Sequence, residues 1–203
     1  MKFQRPWVVV AYGDIRGFGA WTASPSTSPE IKDPFVVAFH ATLARYVKQR
    51  DKRIHVQFEG DGFMLIRELT PAERKNGAYA QFVRSVQTIT RDVLRDLAGV
   101  EGDGLAGFRV RFTDGYSYKF MMPDPNDPTC QREVPVYMEY ALNAASHLKN
   151  VNPGVLCLVF KSFAKALGKY RDEFGVRPLG KPSCYPPSVD RQHVKTLHVL
   201  EKF

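Results

Sequence analysis

The chain of 203 residues contains few cysteines and no long apolar run. Cys130, Cys157 and Cys184 are odd in number and lack the paired spacing of a zinc site. They argue against a disulfide-stapled scaffold and read as reduced thiols of a cytoplasmic protein. The best apolar runs, Trp7 to Tyr12 and Val155 to Phe160, are strand-sized, well below the roughly 20 residues that cross a bilayer. No apolar stretch near the N-terminus leads to a small-residue cleavage site, so neither a signal peptide nor a membrane partner is expected. Walker A, G-x-S-x-G and H-E-x-x-H patterns are all missing, which argues against a P-loop, a hydrolase elbow and a zinc protease helix. Acidic residues are in deficit, 21 against 29 Lys and Arg, for a formal charge of +8. That balance favours phosphate-bearing partners without choosing between a polynucleotide and a single nucleotide. The aromatic-and-basic stripe of a single-strand binding surface is also missing, so no nucleic-acid partner is expected. The densest basic stretch, Lys48, Arg50, Lys52 and Arg53 around Asp51, reads as a solvated helix end.

What is present suits one globular domain over residues 1–203: 44% hydrophobic and 25% charged, near the averages for soluble proteins. Ala23 to Pro34, Met122 to Glu133 and Lys181 to Gln192 are rich in turn formers and read as loops. Between them the elements alternate. Trp7 to Gly13 is a buried strand, and Pro34 to Gln49 is a helix by the spacing of Phe35, Phe39, Leu43 and Tyr46. Arg53 to Phe58 and Phe63 to Glu68 are strands around the tight turn Glu59-Gly60-Asp61-Gly62. Thr70-Pro71-Ala72-Glu73 has the form of a capping box and predicts a helix from there to about Ala98. Gly107 to Thr113 and Gly115 to Phe120 read as a hairpin. Tyr137 to Asn150 reads as an amphipathic helix, and Val155 to Phe160 as a strand. A short helix, Ser162 to Gly168, and strands near Phe174 to Leu179 and His193 to Leu200 complete the chain. The order predicts an α+β fold: a ferredoxin-like βαββαβ core with a C-terminal extension and helices on one sheet face. That fold hosts many functions, so the chemistry must come from particular residues.

Gly102, Gly104 and Gly107 fit G-x-G-x-x-G but follow a helix and precede a strand, the reverse of a dinucleotide site. Asp14 and Asp61 carry more. Asp14 ends the first strand and Asp61 sits in the hairpin turn, 47 residues later. With the first strand beside the strand that follows the first helix, both carboxylates lie at one end of neighbouring strands. Singly, an Asp beside Gly in a turn is commonplace. Together, two close carboxylates repel unless cations lie between them. Such hard oxygen ligands suit Mg²⁺ or Mn²⁺ shared with substrate phosphates, and a two-metal site serves in-line phosphoryl displacement. Gly17 and Gly19 flank Phe18, so backbone N–H groups there can approach an anion.

Asp14-Ile15-Arg16-Gly17-Phe18 resembles the D-I-x-G-F signature of class III nucleotidyl cyclases, and Phe58 to Met64 resembles their second metal-aspartate hairpin. Phe108 to Gly115 resembles their R-I-G-I-H-T-G strand, Ala141 to Ser146 their V-N-x-A-S/A helix, and Leu179-Gly180-Lys181 their K-G-K stretch. The resemblance implies closure of a nucleoside triphosphate to its 3′,5′-cyclic monophosphate with loss of pyrophosphate. It implies two Mg²⁺ or Mn²⁺ per site on Asp14, Asp61 and the Ile15 carbonyl, with phosphates at Phe18 and Gly19. Asn143 would orient the ribose and Lys181 would contact phosphates. It also implies a homodimer with composite sites, the metals from one subunit and the base, ribose and late phosphate contacts from the other.

Two positions depart from that pattern. The purine-selecting position, Lys in adenylate cyclases and often Glu in guanylate cyclases, is Gln57, and its partner near Val136 and Tyr137 is neither Asp nor Cys. A carboxamide both donates and accepts, so Gln57 can read a pyrimidine edge. His147 stands where the family usually has a transition-state Arg, one helical step beyond Asn143. A small cyclase without adenine determinants is similar to the bacterial pyrimidine cyclases of anti-phage defence, whose cyclic UMP or cyclic CMP activates a separate effector. The expectation is a uridylate cyclase acting on UTP. A cytidylate or purine cyclase, a catalytically inactive nucleotide sensor, and an RNA-binding domain using Phe108, Val110 and Phe112 stay open.

Overall fold

In the computed structural model every residue from Val8 to Ile15 is buried, which requires a central strand covered on both faces. The structure describes residues 4–25, 28–97, 107–124, 129, 133–138, 141–142, 145, 148, 155–179 and 197–203. In chain order the elements are β1 (Trp7–Ile15), α1 (Phe18–Ala23), α2 (Pro29–Arg50), β2 (Ile54–Glu59), β3 (Gly62–Glu68) and α3 (Ala78–Leu97). They continue with β4 (Phe108–Tyr116), β5 (Tyr118–Pro123), β6 (Glu133–Met138), β7 (Cys157–Phe160), α4 (Lys161–Ala166), β8 (Val176–Pro178) and β9 (Leu197–Leu200).

Seven strands form one mixed sheet in the order β2-β3-β1-β4-β7-β9-β8, and β5 with β6 forms a separate antiparallel ribbon. The first four positions, with α2 and α3 as the crossovers, are the predicted βαββαβ core. The extension joins through a parallel β4–β7 pairing. One sheet face, through Val9, Ala11, Phe63, Leu65, Val110 and Phe112, packs on α2 and α3. Phe108, Val110 and Phe112 are therefore core residues, and the RNA-binding reading loses its aromatic platform.

Sequence expectation and structure part at several places. Helices on one face only were expected, yet Ala141, Leu142 and Ala145 pack with Tyr137 against Val8, Val10, Tyr12 and Ile66 on the other face. The neighbour of β1 is β3, with β2 one strand further out. The Ser/Pro-rich stretch expected as a loop, Ala23 to Pro34, holds the end of α1 and the start of α2, because Pro29 takes the first helical turn, where its missing N–H costs nothing. The Thr70–Glu73 box is formed, with Glu73 Oε2 accepting from the Thr70 N–H at 2.9 Å. It closes only a single 3₁₀ turn, and α3 starts after Gly77. Gly115 lies inside β4 opposite Val8, and the chain leaves the sheet at Ser117, so β5 pairs with β6 and not with β4. Tyr137 and Met138 end strand β6 where a helix start was expected. Cys157 is buried and forms no disulfide, while Cys130 and Cys184 lie outside the described residues.

Candidate functional site

Asp14 pairs with Gly62 of β3 on one side and Arg109 of β4 on the other. Its alternation with Tyr12 sets it on the sheet face away from α2 and α3. The carboxylate is nearly buried. Oδ2 accepts from Arg109, through Nε at 3.1 Å and through Nη2. Oδ1 is buried with no hydrogen-bond partner among the described residues. A buried carboxylate oxygen without a donor is costly unless a cation or another ligand satisfies it.

Asp61 lies in the two-residue turn between Glu59 and Gly62. Gly60 has φ +61°, a conformation that side chains rarely adopt. Gly62 is needed for a different reason: a Cβ there would stand 2.7 Å from the Tyr12 hydroxyl oxygen. The Tyr12 phenol therefore lies directly on the hairpin. Burial, and then the carboxylates of Glu59, Asp14 and Asp61, push its pKa well above the ordinary tyrosine range, and its hydroxyl donates to Glu59. From β4, buried Arg111 adds a guanidinium that donates to the carbonyls of Leu148 and Leu156 at 3.1 Å each. Burial pushes it down to about 10, so it stays charged at neutral pH.

The side chains offered to a cation, those of Asp14 and Asp61, are oxygen donors. Among the described residues no group of three or more His, Cys, Asp or Glu side chains gathers at one point. A cation held here would complete its shell with water or ligand oxygens, the habit of Mg²⁺ and not of zinc. The orphaned Oδ1 fits that demand.

Gln57, on β2, meets Tyr137 of β6: the Tyr137 N–H donates to Gln57 Oε1 at 3.4 Å. The Tyr137 ring is buried, and its hydroxyl donates to Glu68 at 2.7 Å, so the ring belongs to the packing between sheet and ribbon. Phe18 and Gly19 open α1 immediately after Gly17, whose φ is +83°. Asn143, His147 and Lys181 lie outside the described residues. Ala141 and Leu142, just before Asn143, pack beside Tyr12, and the Ala141 carbonyl accepts from Thr113 at 2.6 Å. The structure thus brings Asp14 and Asp61 to one end of β1 and β3, and Gln57 and Tyr137 together at the ribbon. Sequence reasoning missed Arg109, Tyr12 and Glu59. The alternation Phe108-Arg109-Val110-Arg111-Phe112 was the available signal, because charges on the non-core face of a central strand need partners.

No family model matches the chain, and no curated protein matches it. Solved structures do. The guanylyl cyclase Cya2 superposes with a TM-score of 0.65 at 14% identity, covering 98% of this chain and 93% of that one. The adenylyl cyclase CyaB from P. aeruginosa gives a TM-score of 0.68 at 16% identity, covering 98% and 96%. The catalytic core of a rhodopsin-guanylyl cyclase with converted specificity, in complex with ATPαS, gives 0.64 at 13% identity, covering 98% and 96%. The α+β fold seen here is that of class III nucleotidyl cyclase domains. Among the described residues no helix is long and apolar enough to cross a membrane.

Proposed function

We propose that the chain is a nucleotidyl cyclase that converts UTP to 3′,5′-cyclic UMP and pyrophosphate. The observation that carries the reading is the buried Asp14 Oδ1, without a donor and on the strand next to the Asp61 hairpin. In the reaction the ribose O3′ bonds to the α-phosphorus, the bond from that phosphorus to the pyrophosphate oxygen breaks, and the 3′ proton passes to solvent. Asp14, Asp61 and the Ile15 carbonyl would hold two Mg²⁺ or Mn²⁺, which supply charge neutralisation for the triphosphate and acidify the 3′ hydroxyl. Backbone N–H groups at Phe18 and Gly19 receive phosphate oxygens, Lys181 contacts phosphates, Asn143 orients the ribose, and His147 stands in for a transition-state cation.

Gln57 supports a pyrimidine. The Tyr137 N–H can only donate, so the Gln57 atom facing it is the carboxamide oxygen, and the NH₂ is the donor side of the group. Such a donor suits O4 of uracil and opposes the 4-amino group of cytosine. The reading includes a homodimer with composite sites. Its support is the exposed apolar side chains on and beside the ribbon, Tyr116, Tyr118, Met121, Met122 and Met138. The cyclic product would act on a separate effector in anti-phage defence, within the cytoplasm. Arg109 on Asp14 favours one other reading, a nucleotide sensor without turnover.

The test is incubation with ATP, GTP, CTP and UTP separately, with Mn²⁺, followed by chromatography. A cyclic pyrimidine monophosphate is expected from one tube, and none from Asp14→Ala or Asp61→Ala proteins that remain dimeric. Retained turnover in either variant would sink the metal assignment. A cyclic purine product would move the reading to a purine cyclase. No product with retained nucleotide binding would move it to the sensor.

A further inference from the structure

We infer that His40 is a positioning residue for the Asp61 hairpin, locking the turn to helix α2 so that the Asp61 carboxylate is held ready for a cation. The inference rests on the reading of Asp61 as a cation ligand. His40 Nε2 lies 3.0 Å from the Gly60 carbonyl oxygen. A carbonyl only accepts, so Nε2 carries the proton, and it does so both in the neutral Nε2–H tautomer and in the imidazolium. The ring cannot swing away freely, because it stacks on Phe58 with centroids 4.1 Å apart and planes inclined by 27°.

The residues around His40 anchor it. Phe39 and Leu43, on α2, are fully buried in the core against the sheet. The link thus runs from the core through α2 and His40 to the backbone one residue before Asp61. On its other side the same turn meets Tyr12, whose hydroxyl donates to Glu59 and lies against Gly62. A two-residue turn would otherwise move as a free loop tip and carry its carboxylate with it. A binding group pre-set by its surroundings loses less freedom when the ligand arrives, and that saving appears as affinity.

The experiment uses the full chain without nucleotide and Mn²⁺ alone as the probe. Free Mn²⁺ is followed by electron paramagnetic resonance, and amide hydrogen exchange is followed at Asp61 and Gly62. For His40→Ala the expected result is faster exchange at both amides and about fivefold weaker Mn²⁺ binding, the worth of one hydrogen bond, with little change in melting temperature. His40→Gln, whose side-chain NH₂ can reach the same carbonyl, should recover most of both. Wild-type Mn²⁺ affinity and exchange in His40→Ala would overturn the inference, as would a His40→Gln protein no better than His40→Ala. If the wild type binds no Mn²⁺, the cation reading of Asp61 fails with it, and the exchange rates still decide whether His40 holds the turn.

Discussion

Arg109 on β4 grips Oδ2 of Asp14 on β1, and the two residues are direct register partners across the antiparallel pair. The contact joins the strand that carries the first aspartate to the strand leading into the C-terminal extension. Removing the guanidinium leaves a nearly buried carboxylate with neither oxygen paired. Arg109→Gln should therefore lower unfolding stability by about 1–3 kcal/mol in urea titrations, the range for orphaning a mostly buried polar partner. It should also tighten Mn²⁺ binding in the absence of nucleotide, because a competing positive charge is gone. An unchanged urea midpoint would show that the pair contributes nothing to the fold.

The role proposed for Gln57 is to select the base and to take no part in bond making. Its Oε1 is engaged by the Tyr137 N–H, so a change of side chain alters the group presented without breaking the ribbon's own pairing. Gln57→Glu replaces a donor by an anionic acceptor. The ratio of turnover between UTP and the next-best nucleotide should move by tenfold or more, about 1.4 kcal/mol, while the rate on the preferred substrate changes less. An unchanged ratio would place base selection elsewhere.

Much of this architecture was legible in the chain. The run Val8-Val9-Val10 announced a strand buried on both faces, and Glu59-Gly60-Asp61-Gly62 announced the hairpin that holds the second aspartate. Thr70 and Glu73 form the capping box their spacing predicts. Features set by non-local register were hidden. Nothing near Asp14 in sequence names Arg109, 95 positions away, as its partner. Tyr137 and Met138 read as a helix start because Met138, Ala141, Leu142 and Ala145 keep a helical period. Pairing of Tyr137 with Lys119 and of Met138 with Tyr118 overrode that local signal. Pro29 read as part of a loop, and the helix as starting only at Pro34, because a proline pattern alone does not separate a helix start from a loop.

Tyr79 links three elements through one hydroxyl. The Trp7 indole N–H donates to it at 2.9 Å, and it donates in turn to Asp114 Oδ2 at 2.9 Å. Tyr79→Phe keeps the ring contact with Phe163 but strips both bonds at once. The expected loss is about 1–3 kcal/mol in urea, with the slope of the transition unchanged. A loss below the resolution of the titration would mean that water replaces the hydroxyl.

Asp114 makes the stability of the fold depend on pH in a direction opposite to most carboxylates. It is buried on β4 between Tyr79 and Ser162, whose hydroxyl donates to Oδ1 at 2.6 Å. Burial raises its pKa above the ordinary aspartate value of 3.8, and the hydrogen bonds from Ser162, Tyr79 and the backbone offset only part of that rise. The folded state therefore holds this proton more tightly than the unfolded chain does. As pH climbs from about the ordinary aspartate value through the raised one, ionisation costs stability, and the loss levels off above it. Glu68 and Glu73, held low by their partners, act the other way, so the wild-type profile alone mixes both signs. Comparison with Asp114→Asn isolates the one group. Whatever the constant cost of the amide, the unfolding free energy of wild type minus that of Asp114→Asn should shrink as pH rises over this window. Urea titrations at a series of pH values measure it, and a difference that is flat or grows with pH would show that the Asp114 carboxylate is at least as well stabilised in the fold as in water.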